Sequence, residues 1–279
     1  MTLKKPLAVF LIIRPINVLI GALSVALGAA LAQPPAWTSL LTQAVASAAL
    51  ILAGANVIND YFDVEIDRLN RPRRVLPSGR LSRSEALGLA IFLLAGGNFF
   101  SILATVQLAA LALLTTLLLI WYSADLKKRV VVGNVVVSFV TGVAFLYGAS
   151  AGGRWQAGVA PAGFAFLFHF GREIIKDIED RVGDAHGRAR TLPLVYGLKA
   201  AQRSATVALI SLLITALVPF LLKHYDHTYL FIIVGGVYPV VIYVLHQLWK
   251  DPSVASMRRL SAILKADMLV GLAAIFLGR

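Results

Sequence analysis

Nine separated apolar runs constrain this chain more than any other feature of its sequence. We place them at residues 7–30, 40–61, 86–104, 108–123, 131–149, 159–178, 205–222, 229–249 and 260–277. As a helix, each run is long enough to cross about 30 Å of hydrocarbon. Hydrophobic residues make up 58% of the chain and charged residues 14%, which is far from the roughly 45–50% and 25% of soluble domains.

Backbone groups in hydrocarbon must hydrogen-bond internally, and the runs lack the alternating polar pattern of barrel strands, so each run is predicted to be a helix. The predicted fold class is all-α: a polytopic membrane bundle of nine transmembrane helices around a central cavity that opens to the cytoplasmic side. No interdomain linker interrupts residues 1–279. We therefore expect a single domain.

The basic residues predict the orientation of the bundle. Lys and Arg number 26 against 14 Asp and Glu, for a net charge of +12, and they concentrate in the short loops on one side. The positive-inside rule makes that side cytoplasmic, so we expect a multi-pass plasma-membrane protein whose N-terminus and active site are cytoplasmic. Because topology explains the charge, no nucleic-acid partner is expected. The absence of cysteine excludes thiolate metal sites.

The most informative segment, which we call the first motif, is residues 56–68 at the end of the second run. On a helix, Asn59, Asp63 and Asp67 recur at i, i+4 and i+8, with Asp60 beside Asp63. Carboxylates gathered on one face repel one another unless a cation lies among them. Magnesium is the expected ion, because it prefers oxygen ligands and is usually held by one or two carboxylates together with substrate phosphates.

The second motif is residues 172–184, at the end of the sixth run. Asp177, Asp180 and Asp184 follow i, i+3, i+7 spacing and again share a face. Two such faces on one side of a bundle would hold two magnesium ions around a diphosphate. The alternatives are a solvated acidic helix end for the first motif and a surface ion-pair network for the second.

A diphosphate also needs cations and hydrogen-bond donors from the protein. Arg14 lies inside the first apolar run, where an unpaired charge costs about 2.5 to 3.5 kcal/mol, so a carboxylate or a bound phosphate is expected beside it. His169 is interpreted as a buried, hydrogen-bonded side chain. The residues predicted to bind substrate are Arg14, Asn17, Asn56, Arg74, Tyr122, Lys127, Lys128 and Lys176. The turn-forming run 71–80 is predicted to cap the acidic site as an ordered loop.

The pair of aspartate-rich motifs, each after a membrane run, resembles the UbiA superfamily of intramembrane prenyltransferases. Residues 59–72, 76–79, 172–180 and 190–193 look most like the digeranylgeranylglyceryl phosphate synthase branch. Val75 and Leu76 depart conservatively from that branch, where proline and then isoleucine are expected at these two positions before Pro77. This departure bears on the branch more than on the superfamily.

The resemblance implies an enzyme that transfers an alkyl group other than methyl, a prenyltransferase with Mg²⁺ as cofactor. Asn59, Asp60, Asp63 and Asp67 would bind one ion and its diphosphate, and Asp177, Asp180 and Asp184 the other. The catalytic residues among these would be Asp63, Asp67, Asp177 and Asp180. The prenyl diphosphate donor would be geranylgeranyl diphosphate, and the lipophilic acceptor would react through the glycerol hydroxyl of geranylgeranylglyceryl phosphate.

Other functions stay open on the sequence alone. An aromatic or chlorin acceptor, of the 4-hydroxybenzoate, homogentisate or chlorophyllide type, would suit the same architecture. A membrane transporter would also carry intramembrane charges and mid-span glycines. However, transporter sites tend to lie near the bilayer midplane, whereas these acidic motifs lie at helix ends beside arginine-rich loops.

Overall fold

The computed structural model describes residues 4–32, 38–186 and 189–279. Within these ranges the regular structure is helical, without strands, which confirms the predicted all-α class. The helices are α1 (Lys4–Ile12), α2 (Pro15–Ala32), α3 (Ser39–Asn70), α4 (Arg83–Ala104), α5 (Val106–Ala124), α6 (Val132–Ala151), α7 (Val159–His186), α8 (Leu192–Val195), α9 (Leu198–Leu221), α10 (His227–Ile232), α11 (Tyr238–Lys250) and α12 (Val254–Leu277). A π-helical turn, Ile233–Val237, joins α10 to α11.

Eight helical stretches in the described ranges are long and apolar enough to cross a bilayer. They are Pro15–Ala32, Ser39–Asn70, Arg83–Ala104, Val106–Ala124, Val132–Ala151, Leu198–Leu221, His227–Lys250 and Val254–Leu277. The chain is therefore an integral, multi-pass membrane protein. The remaining predicted run coincides with α7, a helix of 28 residues that also carries the charged second motif. A total of nine spans stays a prediction.

The first predicted run is two helices, not one. Proline has no N–H and disfavours a helical conformation in the residue before it, and Arg14, immediately before Pro15, has a positive φ of 55°. The helix is interrupted there, and α2 begins at Pro15. The side chain of Asn56 on α3 donates to the carbonyl oxygen of Ile13 at 2.9 Å, which holds the break against α3. The prediction of one continuous helix was wrong at this point.

The central cavity lies between α2, α3, α5, α6, α7 and α12. The helix α2 packs against α3, α6 and α12, and α7 packs against α6, α9 and α12. The helices α4 and α5 pack against α3, while α11 packs against α9 and α12. The two long helices that carry the acidic motifs therefore face one space from opposite sides.

Glycines bring α2 and α6 into direct backbone contact. A Cβ added at Gly28 would collide with the carbonyl oxygen of Phe145, and one added at Gly148 would collide with that of Val25. Each helix therefore presents a glycine to the backbone of the other. We call this contact the α2–α6 seam.

Candidate active site

The main cavity has a volume of about 610 Å³ and is polar at the end where the two motifs meet. Six of the seven predicted metal ligands line it: Asn59, Asp63, Asp67, Asp177, Asp180 and Asp184. So do all the residues predicted to bind substrate: Arg14, Asn17, Asn56, Arg74, Tyr122, Lys127, Lys128 and Lys176. The structure thus brings together side chains from both halves of the sequence.

In the first motif, α3 continues unbroken to Asn70, so Asn59 and Asp63 lie one turn apart on the same face. Asn59 donates to Asp63 Oδ2 at 3.1 Å. Lys127, on the short turn after α5, lies 2.6 Å from Asp63 Oδ1 and donates to Asn59 Oδ1 at 3.2 Å. Lys127 therefore compensates the negative charge of Asp63 and also contacts Asn59.

Lys127 is well shielded from solvent, with 12% of its side chain exposed. Burial lowers the pKa of Lys127 from its ordinary value, although the neighbouring Asp63 carboxylate acts in the opposite direction. A lysine ammonium group has three N–H groups, and Asp63 and Asn59 take two of them, so one remains for a second anion.

Asp60 differs from the other aspartates of the first motif. It is buried and forms an ion pair with Arg14, and Arg74 approaches it at 3.4 Å. Arg74 also donates to Asp67 Oδ2 at 2.6 Å. Among the described residues that line the main cavity, Asp60 is absent. Its predicted role as a metal ligand stays a prediction, while the carboxylate expected beside Arg14 is found.

The loop after α3 is ordered and connects the two motifs, as predicted for a cap. Arg80 donates to the carbonyl oxygen of Arg73 at 2.5 Å, closing the loop on itself. Arg71 donates to both carboxylate oxygens of Asp180, at 2.9 Å each. Burial disfavours the charged guanidinium, but Asp180 and Glu179 outweigh it, and the pKa of Arg71 is raised.

The second motif divides its acids between two environments. Asp177 accepts a hydrogen bond from Asn134 on α6 at 2.9 Å. The two glutamates take cations instead: Glu173 lies 2.6 Å from Lys176 and 3.0 Å from Arg172. Glu179, on the other side of Asp177, lies 3.1 Å from Arg258 of α12.

The donor set fits magnesium better than a metal enclosed entirely by protein. Within the described ranges, no three acidic or histidine side chains converge closely enough to hold a metal by themselves. The motifs offer carboxylate and amide oxygens on both sides of the cavity. Magnesium commonly takes one or two carboxylates and completes its shell with water and substrate phosphates. The residues present suit that arrangement.

Several cavity residues escaped sequence reasoning. Arg258, Ser261 and Lys265 line the cavity, and Asn134 donates to Asp177, a predicted catalytic residue. A polar side chain near the end of an apolar run was the available signal for Asn134. His169 also lines the cavity, but its Nδ1 has no hydrogen-bond partner in the described part of the chain. The predicted hydrogen bond is therefore not found at that nitrogen.

Away from the motifs, the main cavity becomes apolar. Ile51 and Leu52 of α3, Ala112 and Leu119 of α5, and Val143 of α6 form this part of its wall. A polar end that holds anions and an apolar end inside the bilayer match the two ends of an amphiphile. The cavity is thus built for a lipid with a charged head.

The sequence matches the UbiA prenyltransferase family over residues 18–266. Digeranylgeranylglyceryl phosphate synthase of Thermococcus sibiricus is 36% identical over 270 residues, which cover 96% of this chain and 95% of the relative. A solved structure described as digeranylgeranylglyceryl phosphate synthase in membranes is 30% identical, with a TM-score of 0.77 over 99% of this chain and 98% of the other.

A UbiA homologue from Archaeoglobus fulgidus bound to GPP and Mg²⁺ is 20% identical, with a TM-score of 0.72 over 96% of this chain and 99% of the other. At that identity the likeness concerns the fold. The match to the family covers well over half of the chain and includes both acidic motifs. This chain belongs to the UbiA prenyltransferase family.

Proposed function

We propose that this protein transfers a geranylgeranyl group from geranylgeranyl diphosphate to the glycerol hydroxyl of geranylgeranylglyceryl phosphate, with Mg²⁺ as cofactor. The observation that carries the proposal is the meeting of both acidic motifs, with arginine and lysine side chains, at one end of an apolar cavity. The relative from Thermococcus sibiricus bears the name of this activity, which favours the glycerol acceptor over an aromatic one.

The residues assigned to the diphosphate come from both motifs. Asp63 and Asp67 would serve one side, and Asp177, Asp180 and Asp184 the other. Magnesium, when bound, would neutralise negative charge on the diphosphate. Lys127 would add a direct contact, because its ammonium group already lies in the lining, 2.6 Å from Asp63. These groups together stabilise the charge that develops when the allylic carbon–oxygen bond breaks.

The reaction joins two lipids. The bond between the allylic carbon and the diphosphate oxygen breaks, the acceptor oxygen bonds to that carbon, and the hydroxyl proton passes to the diphosphate, which is released. Tyr122 lines the cavity and supplies an aromatic face, which attracts a developing cation. The ordered loop closed by Arg80 on Arg73 would limit water at the site, so that the acceptor, not water, captures the cation.

The orientation follows from the same assignment. The basic loops and both acidic motifs would lie on the cytoplasmic side of the plasma membrane, where positive charge accumulates. The diphosphate head group would then lie at the polar end of the cavity, on the cytoplasmic side, while both lipid chains stay in the bilayer.

The test is a magnesium-dependent transfer assay on purified protein. Geranylgeranyl diphosphate would be offered with geranylgeranylglyceryl phosphate or with 4-hydroxybenzoate, and diphosphate release and lipid product mass would be measured. We expect ether product from the glycerophosphate alone, lost in Asp63→Ala and Asp177→Ala. Product from the aromatic acceptor alone would reassign the substrate within the family.

The matched control is Asp125→Ala. Asp125 is a half-exposed aspartate that pairs with Arg129 at 2.6 Å, and it is not among the described residues that line the main cavity. Its loss should leave transfer unchanged. Full activity in the two motif variants would contradict the proposed site.

A further inference from the structure

A second, smaller cavity of about 90 Å³ adjoins the main cavity. Five residues line both cavities and define their boundary: Ile20, Ser24, Thr141, His169 and Met268. Beyond the boundary the wall is mostly apolar, with Phe164 and Phe168 of α7, Leu212 of α9 and Ile275 of α12. The second cavity is therefore a side chamber of the main one, directed toward α9, α10 and α12.

A carboxyl group lies in the wall of this chamber. Asp267 of α12 is 4% exposed, and neither of its carboxylate oxygens has a hydrogen-bond partner among the described residues. It also lies within a predicted membrane span. An ionisable group inside a bilayer is costly and points to a functional site unless it is paired.

The hydroxyl groups that line the chamber donate hydrogen bonds to other groups, not to Asp267. Ser24 donates to the carbonyl oxygen of Ile20 at 2.9 Å, and Thr141 donates to that of Val137 at 2.9 Å. The Tyr238 hydroxyl donates to the backbone of α9. Their protons are thus committed to backbone carbonyls, and both oxygens of the Asp267 carboxylate are left able to accept a hydrogen bond from a ligand.

The backbone of the chamber is also unusual. Ile233 and Val237, at the two ends of the π-helical turn, line it. Such turns are rare and frequently occur at functional sites. This observation is independent of Asp267 and points to the same chamber.

Two helices present matching groups in the same order. On α7, Arg172 lies in the main cavity, His169 lies one turn deeper at the boundary, and Phe168 begins the apolar wall. On α12, Lys265 lies in the main cavity, and Asp267 follows at the start of the second cavity. At about 1.5 Å per residue, His169 lies about 4.5 Å along the helix axis from Arg172, and Asp267 lies about 3 Å along the axis from Lys265. A phosphorylated lipid alcohol carries a phosphate, a hydroxyl and an alkyl chain in that order. The cation would contact the phosphate, the hydrogen-bonding group the hydroxyl, and the apolar wall the alkyl chain.

We propose that the boundary of the second cavity binds the acceptor, with Asp267 accepting a hydrogen bond from its hydroxyl and Lys265 contacting its phosphate. The inference rests on the proposed function, in which the acceptor is a phosphorylated lipid alcohol. The small chamber takes the hydroxyl-bearing end and the start of the alkyl chain. The donor head stays with the two acidic motifs.

The experiment measures acceptor binding without turnover, by calorimetric titration of the purified full-length protein in detergent. The probes are geranylgeranylglyceryl phosphate, its 2-deoxy analogue and its dephosphorylated form. Wild type should prefer the alcohol to the deoxy analogue by about tenfold or more, as expected for a hydrogen bond to a charged group. Asp267→Leu should reduce that preference to about twofold or less, and Asp267→Asn, of the same shape, should retain part of it.

Lys265→Met is the complementary variant. It should lose the preference for the phosphorylated probe and keep the preference for the hydroxyl. The matched control is Asp251→Asn, at an exposed position beyond α11, which should keep both preferences. Thermal unfolding of each variant identifies any that fails to fold, and Asp267→Asn then serves as the test.

Three outcomes would overturn the subsite: full hydroxyl preference in both Asp267 variants, no preference in wild type, or no binding of geranylgeranylglyceryl phosphate. The transfer assay separates this inference from the proposed function. If wild type forms ether product and both Asp267 variants keep the full preference for the hydroxyl, the proposed subsite is contradicted and the proposed function is supported. If the predicted binding preferences are measured but no ether product forms, the proposed subsite is supported and the proposed function is contradicted.

Discussion

The two acidic motifs face the same cavity, but their charges are compensated differently. In the first motif, each aspartate contacts a cation from another segment: Arg14 and Arg74 contact Asp60, Lys127 contacts Asp63, and Arg74 contacts Asp67. The first motif therefore carries its own counter-charges before any ligand binds.

In the second motif, most cations pair with glutamates. Glu173 and Glu179 hold lysine and arginine side chains, and Asp180 holds Arg71. Asp177 accepts a hydrogen bond from a neutral asparagine, and neither Asp177 nor Asp184 forms an ion pair with any described residue. Because a bound cation gains most beside uncompensated charge, the second motif should contribute more to magnesium affinity and the first more to diphosphate contacts.

The largest effect is expected from Asp63→Ala. Loss of this carboxylate removes a proposed ligand and leaves Lys127 without its partner, so diphosphate release should fall by about a hundredfold or more. Adding Lys127→Met should not restore activity, because the lysine is itself proposed to contact the diphosphate. Recovery in the double variant would show that Asp63 serves only to neutralise Lys127.

A smaller effect separates Asp177→Asn from Asp67→Asn. The magnesium concentration for half-maximal diphosphate release should rise about tenfold to a hundredfold in Asp177→Asn. It should rise less in Asp67→Asn, because Arg74 already compensates that charge at 2.6 Å. Magnesium titrations of the two variants, at saturating donor, make the comparison. If this magnesium concentration rises equally in both variants, the two motifs do not differ in their contribution to magnesium affinity, and the proposal is contradicted.

Arg71 tests the physical link between the motifs. Arg71→Met removes a mostly buried guanidinium that contacts Asp180, and it should lower the free energy of unfolding by about 2 kcal/mol. Arg71→Lys should recover only part of this, because lysine keeps the charge but lacks the planar guanidinium, whose Nη2 contacts both Asp180 and Glu179. Tryptophan fluorescence during denaturation measures both. Unchanged stability in Arg71→Met would mean that the loop does not hold the motifs together.

The smallest effect is expected at Arg68. This arginine pairs with Glu65 at 2.6 Å, and both side chains are more than half exposed, so solvent screens the pair. Arg68→Ala should change the free energy of unfolding by less than about 0.5 kcal/mol and leave transfer unchanged. The same two assays apply, and a large loss would extend the site to the outer face of α3.

The parts of the site that were predictable depend on helix geometry alone. The shared face of Asn59 and Asp63 follows from a period of 3.6 residues, and both side chains line the cavity. The resemblance to UbiA prenyltransferases is confirmed by the family match. The break before α2 was also within reach, because Pro15 stands in the sequence as a helix breaker.

What could not be predicted depends on how helices pack. Lys127 contacts Asn59 across 68 residues of sequence, and no periodicity relates those positions. Asp60 lies only about 60° around the helix from Asp63, but it contacts Arg14 and Arg74, two cations that the period of α3 cannot predict. Asp267 stands inside the predicted run 260–277, but the sequence does not reveal whether a partner reaches its carboxylate.

The α2–α6 seam limits how this enzyme can change its substrates. Gly28 and Gly148 each leave no room for even a methyl group, so this side of the cavity cannot be remodelled by substituting larger residues there. The apolar wall formed by Leu52 of α3 and Leu119 of α5, in contrast, consists of side chains that can be exchanged. Divergence toward longer or shorter prenyl chains is therefore expected at such exchangeable side chains, while Gly28 and Gly148 fix the spacing of α2 and α6.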